Sequence, residues 1–206
     1  MTTISGYIFF AILGYLSGSI LYASIIPKYL FHIDPASLSN DKNPGTFNAF
    51  KYAGKKAGIP VIIMELLKGI IPVLIASKVL DTSNSLFAIV IAAPVIGHAF
   101  PVFNHFKGGK AIAVSFGVLM GLLPDFYPLL LLVIFYILFS AVIIIQPHLH
   151  RTIITFICFC ITGLFYFKNQ SVIYGSILIS IVVIIKHLIK YEKEPASIRL
   201  FFNRNR

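Results

Sequence analysis

Apolar runs long enough to cross a hydrocarbon layer of roughly 30 Å recur along almost the whole chain. They fall at 4–27, 59–79, 86–103, 111–124, 127–145, 152–167 and 172–189. Backbone in lipid must satisfy its own hydrogen-bonding groups, so these runs predict helices. With 58% hydrophobic and 12% charged residues and a mean hydropathy of +0.90, against roughly 25% charged in soluble domains, a soluble globular fold is excluded. The expected fold is an all-α polytopic membrane protein with seven transmembrane helices, the short fourth one tilted or partly re-entrant. The first run is too long for a cleavable signal and lacks a basic leader, so it should remain as a span. No composition shift divides residues 1–206, which are read as one domain. Cys158 and Cys160, two apart in an apolar run, face different directions on a helix and act as small hydrophobes.

The basic residues give the orientation. Lys28, Lys42, Lys51, Lys55, Lys56, Lys107, Lys110, Arg151, Lys186, Lys190, Lys193, Arg199, Arg204 and Arg206 fall on one side of a seven-span topology. Lys78 and Lys168 fall on the other, with Lys68 inside the second run. The positive-inside rule then puts the N-terminus outside and the C-terminus in the cytoplasm. The net charge of +10 is therefore topology first and attraction to anionic lipid headgroups second, not a nucleic-acid signature.

Several polar motifs punctuate the apolar pattern. Lys107-Gly108-Gly109-Lys110 puts two cations around side-chain-free backbone, chemistry suited to an anion or to anchoring helix ends. A helix beginning just after it would add its N-terminal dipole. The segment NPGTFNAFKYAGKKAG supplies amides at Asn43 and Asn48, turns at Gly45, Gly54 and Gly58, and charge at Lys55 and Lys56. Glu65 and Lys68, three apart at membrane depth, form either a structural ion pair or a substrate contact. His98 is a general base or a helix-end cap. His148 and His150 have no carboxylate or cysteine near them in sequence, which argues against a metal site. In the basic C-terminal segment, His187 is the strongest chemical candidate.

Together these stretches resemble the acyl-phosphate:glycerol-3-phosphate acyltransferases, the PlsY family of bacterial inner-membrane enzymes. Gly18-Ser19-Ile20 is similar to the family's GSIP motif, NPGTFNAF to its NPGATN loop, and MELLKGIIPV to its DLLKG-type helix. GHAFPVFNHFKGGKAIAVSFG, Gly97 to Gly117, resembles its second signature nearly end to end. The resemblance implies transfer of a fatty acyl group from acyl phosphate to the 1-hydroxyl of glycerol 3-phosphate, giving lysophosphatidic acid and phosphate in phospholipid synthesis. It implies membrane lipids as surroundings, an active face in the cytoplasm, and no cofactor, metal, CoA or acyl carrier protein. Lys107, Gly108, Gly109 and Lys110 would cradle phosphate, with Asn43, Gly45 and Asn48 on the facing wall. His187 is the preferred base and His98 the second candidate; Ser19, Glu65, Lys68, Arg151 and Thr152 are further site candidates.

The sequence departs from the pattern in three places. Asp34 is followed by PASLSNDKN, without the arginine and serine-glycine pair of the family's DIRKxGSGN loop. The fifth connection reads QPHLHRTI in place of a serine-containing pattern, with Thr152 the nearest hydroxyl and Arg151 supplying charge. The C-terminal pattern survives as His187 and Ser197-Ile198-Arg199-Leu200. The competing reading is a noncatalytic or altered-acceptor relative that binds acyl phosphate or anionic lipid.

Overall fold

The computed structural model describes residues 3–189 and 195–200, so Lys190, Lys193, Arg204 and Arg206 of the charge argument lie outside the described residues. The helices are α1 (Ile4–Ser19), α2 (Tyr22–Phe31), α3 (Pro35–Leu38), α4 (Thr46–Val79), α5 (Phe87–Ala99), α6 (Ile112–Met120), α7 (Tyr127–Ile137), α8 (His148–Tyr166) and α9 (Gln170–Ile189). Five stretches among the described residues are long and apolar enough to cross a membrane: Ile4–Phe31, Thr46–Val79, Phe87–Asn104, His148–Tyr166 and Gln170–Ile189. The fourth and fifth predicted spans are shorter. At 1.5 Å per residue α6 is only about 13.5 Å long, and α7 with its π-helical last turn covers Tyr127–Val142.

Three further differences lie in the backbone. The first run breaks at Ile20 and Leu21, which leave the helical region with ψ of 114° and 79°. The predicted first loop is largely helix: α4 begins at Thr46, and Gly54, at φ +76°, kinks it between its lysine-rich head and its apolar body. Only a residue without Cβ takes that conformation cheaply. The all-α expectation also fails at one point. Ile143–Gln146 (β1) pairs antiparallel with Ser197–Leu200 (β2), with Ile143 opposite Leu200 and Gln146 opposite Ser197. The predicted fifth helix therefore gives way to strand at Ile143.

α5 sits at the centre, almost wholly buried from Phe87 to Ala99, with α1, α4, α6 and α9 around it. Its contact with α1 is backbone against backbone. A Cβ on Gly97 would overlap the Tyr15 carbonyl oxygen, and one on Gly18 the Pro94 carbonyl oxygen. Small residues at such crossings allow the close approach by which helices associate in lipid. At one end of the bundle Tyr7 Oη donates to the Asp81 carbonyl at 2.9 Å, and Asn169 Nδ2 donates to the Thr82 carbonyl at 2.9 Å. The connections before α4, between α5 and α6, and between α7 and α8 meet elsewhere, around one cavity.

Candidate active site

The turn from α5 to α6 is built on unusual backbone. His105 and Phe106 take positive φ (50° and 60°), as does Ala111 (61°) just before α6. Gly108 and Gly109 do not; Gly54 is the glycine with positive φ. Their missing side chains are required by proximity instead. Gly109 N donates to the His98 carbonyl at 3.1 Å. A Cβ on Gly108 would overlap that carbonyl, and one on Gly109 would overlap His98 Nε2 and stand 2.8 Å from the Pro44 carbonyl. The double glycine lies flat on His98, wedged against the first connection.

Beneath it is a buried charged cluster. Lys68 Nζ is 2.8 Å from Glu65 Oε2, and His98 Nδ1 is 3.0 Å from the same oxygen and 2.8 Å from Lys68 Nζ. Lys68 also donates to the Ile20 carbonyl at 2.7 Å, and Glu65 Oε1 accepts from Ala23 N at 3.3 Å. These are backbone groups at the break between α1 and α2. In lipid such freed groups must find partners, and the ion pair provides them. Glu65 and Lys68 thus sit below the cavity rather than in its wall.

The cavity has a volume of about 690 Å³, within the range of small-molecule sites. Asn43, Gly45, Asn48, Lys51, His98, Lys110 and Arg151 line it, with Ile62, Ile112 and Phe116 as apolar wall. Asp41, not singled out from the sequence, also lines it. Lys110 Nζ donates to Asp41 Oδ2 at 2.9 Å, while Asp41 Oδ1 accepts from Asn48 Nδ2 at 3.1 Å and Asn43 N at 3.2 Å. Partial burial pushes this carboxyl up, but Lys110, Asn48 and the Asn43 N–H outweigh burial and hold it down at about 2. The signal for Asp41 was available: it is one of seven acidic residues in the chain and lies in a lysine-rich loop. Arg151 Nε is buried without a hydrogen-bond partner among the described residues.

The remaining candidates lie outside this wall. Lys107 is exposed, Gly108 and Gly109 are buried, and none of the three lines the cavity. Ser19 Oγ donates to the Tyr15 carbonyl at 2.8 Å and accepts from Val102 N at 3.4 Å, tying α1 to the turn. Thr152 Oγ1 donates to the His148 carbonyl at 3.0 Å. His187 is fully buried, its Nδ1 donating to the Val183 carbonyl at 2.8 Å. Its ring stacks on that of His148, centroids 6.2 Å apart, and His148 lines the cavity. His187 Nε2 has no hydrogen-bond partner among the described residues.

Comparison with known proteins bears on the family and the fold. Residues 8–193 match the glycerol-3-phosphate acyltransferase family. A glycerol-3-phosphate acyltransferase of Neisseria meningitidis serogroup C is 32% identical over 84% of this chain and 86% of its own length. The same-named protein of Legionella pneumophila (strain Corby) is 41% identical over 114 residues, 55% of this chain. That of Streptococcus agalactiae serotype Ia is 44% identical over 124 residues, 60% of this chain. The matched segments span 40% of the Legionella protein and 58% of the Streptococcus protein. The crystal structure of PlsY, an integral membrane glycerol 3-phosphate acyltransferase in its glycerol 3-phosphate form, superposes with a TM-score of 0.76. The two are 29% identical over 89% of this chain and 88% of PlsY. The lysophosphatidic acid form gives 0.72 at 28% identity, over 88% and 87%. A cavity whose wall joins FKGGK to NPGTFN, on a scaffold shared with those structures, leaves one assignment: the chain belongs to the glycerol-3-phosphate acyltransferase family.

Proposed function

We propose that the chain is one integral-membrane acyltransferase domain that moves a fatty acyl group from an acyl phosphate to the 1-hydroxyl of glycerol 3-phosphate. The observation that carries this is the cavity, where Lys110 and Arg151 face amides from the first connection beside an apolar wall of Ile62 and Phe116. An acyl phosphate is an activated mixed anhydride, so the work left is orientation, charge stabilisation and proton removal. The hydroxyl oxygen attacks the acyl carbon, the bond from that carbon to the phosphate oxygen breaks, and phosphate leaves with the electron pair. Lys110 and Arg151 offset the phosphoryl charge, an anion drawing Lys110 away from Asp41. Asn43, Gly45 and Asn48 shape the opposite wall. With Nδ1–H committed to the Val183 carbonyl, neutral His187 keeps its lone pair on Nε2 and takes the hydroxyl proton once His148, stacked on it at the cavity wall, moves aside. His98, the second candidate, lines the cavity, but its Nδ1 meets Glu65 and Lys68 and its Nε2 packs under Gly109, which leaves it a supporting role rather than that of base. The reading uses no CoA, acyl carrier protein, metal or other cofactor.

The proposed setting is the bacterial inner membrane, with seven spans, the N-terminus outside and the cavity facing the cytoplasm. Two facts support it: the charge split of the basic residues, and the convergence of the first, third and fifth connections on the cavity. The test is phosphate release from palmitoyl phosphate by protein in detergent, against a panel of polyol phosphate acceptors. Release dependent on glycerol 3-phosphate is expected. Release only with another acceptor would reassign the acceptor, and none with any acceptor would refute the reading.

A further inference from the structure

Two ionised groups at membrane depth are costly, and an ion pair that only caps a helix break would need only its contacts to Ile20 and Ala23. Glu65 and Lys68 do more. Both also reach His98 Nδ1, at 3.0 and 2.8 Å. A neutral imidazole Nδ1 either donates to the carboxylate or accepts from the ammonium; in both cases the ring is held in one orientation. That orientation turns Nε2 toward the space above Gly109, leaving room there for hydrogen alone. The next backbone contact, Gly109 N to the His98 carbonyl at 3.1 Å, seats the turn that carries Lys110 into the cavity. A continuous path therefore runs from the α1–α2 break through Glu65 and Lys68 to the ring of His98, and from the ring to the Gly108-Gly109 backbone.

We propose that Glu65 and Lys68 are positioning residues for the Lys107–Lys110 turn, acting through the ring of His98. They touch no substrate. Their effect is to fix how far the turn stands from the Asp41–Asn48 wall, and so where the Lys110 ammonium meets an anion. The kinetic consequence rests on the acyltransferase reading; the structural consequence does not.

The experiment therefore has two readouts, both on the full chain in detergent. The double variant Glu65→Gln/Lys68→Met removes the pair without leaving one charge buried alone. Amide hydrogen exchange of a peptide covering 105–112 should accelerate about tenfold, while peptides within α4 and α5 keep their protection. kcat/KM for palmitoyl phosphate should fall by up to roughly a hundredfold, as for a misplacement of about 1 Å. His98→Ala should reproduce the exchange change, and adding the double variant to it should produce no further acceleration. Should the double variant not fold, Glu65→Asp, which keeps the charge but withdraws the carboxylate by one methylene, should still raise exchange at 105–112. Unchanged exchange there, acceleration confined to the α1–α2 break, or additive effects with His98→Ala would each overturn the proposal. A wild-type protein without turnover would refute the acyltransferase reading and leave the exchange result to decide this one.

Discussion

Gly109→Ala is the smallest change that should disable the site. The new Cβ would overlap His98 Nε2 and stand 2.8 Å from the Pro44 carbonyl oxygen and 3.1 Å from His98 Cε1. Unstrained contacts to carbon need roughly 3.5 Å. The ring cannot swing aside, because Glu65 and Lys68 hold its Nδ1, and Pro44 is fixed between Asn43 and Gly45 of the cavity wall. The turn must therefore retreat by roughly 1 Å, a change of the size that costs on the order of 10²-fold in rate. Overpacking of this kind costs about 1–3 kcal/mol in stability, which a bundle tied together elsewhere should survive. The assay is phosphate release from palmitoyl phosphate with saturating glycerol 3-phosphate, alongside thermal unfolding in the same detergent. The expected result is a folded protein with kcat/KM lowered about a hundredfold. Turnover within twofold of wild type in a folded Gly109→Ala protein would refute the claim that the turn's seat on His98 sets the site.

Lys110→Ala should lower kcat/KM for palmitoyl phosphate by roughly 10²- to 10³-fold, the range for removing one preorganised charge donor, with folding intact by thermal unfolding. Asp41→Asn should lower stability by roughly 1 kcal/mol near neutral pH, the pair being partly exposed and screened. Because Asp41 is held at about 2 against an ordinary 3.8, its contribution is complete above about pH 4 and lost as pH falls through about 2. Melting curves of wild type and Asp41→Asn should therefore converge toward pH 2. His187→Gln should lower kcat by roughly 10²- to 10⁴-fold with KM for glycerol 3-phosphate little changed, as expected for removal of a general base; steady-state kinetics would show instead a pure KM effect if the ring only bound substrate.

The membrane character and the meeting of NPGTFN with FKGGK were legible because each rests on composition or on a short contiguous motif. The helix boundaries were less so. Lys51, Lys55 and Lys56 lowered the hydropathy of 46–58 and made it read as loop, yet helix continues there around the Gly54 kink. The break at Ile20 carries no proline or glycine of its own; it exists because Glu65 and Lys68, more than 40 positions away, satisfy Ile20 O and Ala23 N. The pairing of Ile143–Gln146 with Ser197–Leu200 joins segments more than 50 residues apart, beyond any local pattern. Within FKGGK, residue identity suggested an anion nest, whereas Gly108 is dictated by the His98 carbonyl and the Pro101 ring, and Gly109 by the His98 ring and the Pro44 carbonyl.

That difference changes how the motif should be read. If Gly108 and Gly109 wrapped phosphate themselves, added side chains would act mainly by blocking the anion. With the pair buried and Lys110 alone of the four lining the cavity, the glycines act indirectly, through the stance of Lys110. The same logic accounts for the charges at depth. The cationic turn is tied across the cavity by Lys110–Asp41, and on the proposal above His98, held by Glu65 and Lys68, anchors it from below. The end of the bundle that holds Tyr7, Thr82 and Asn169 together uses neutral hydrogen bonds to backbone carbonyls, which hold independently of any ligand. The cavity end uses ion pairs, Lys110–Asp41 among them in its wall. On the proposed reading, an incoming phosphoryl group would compete for Lys110 without touching the ties at the other end, so binding would rearrange the wall while the helices stay in place.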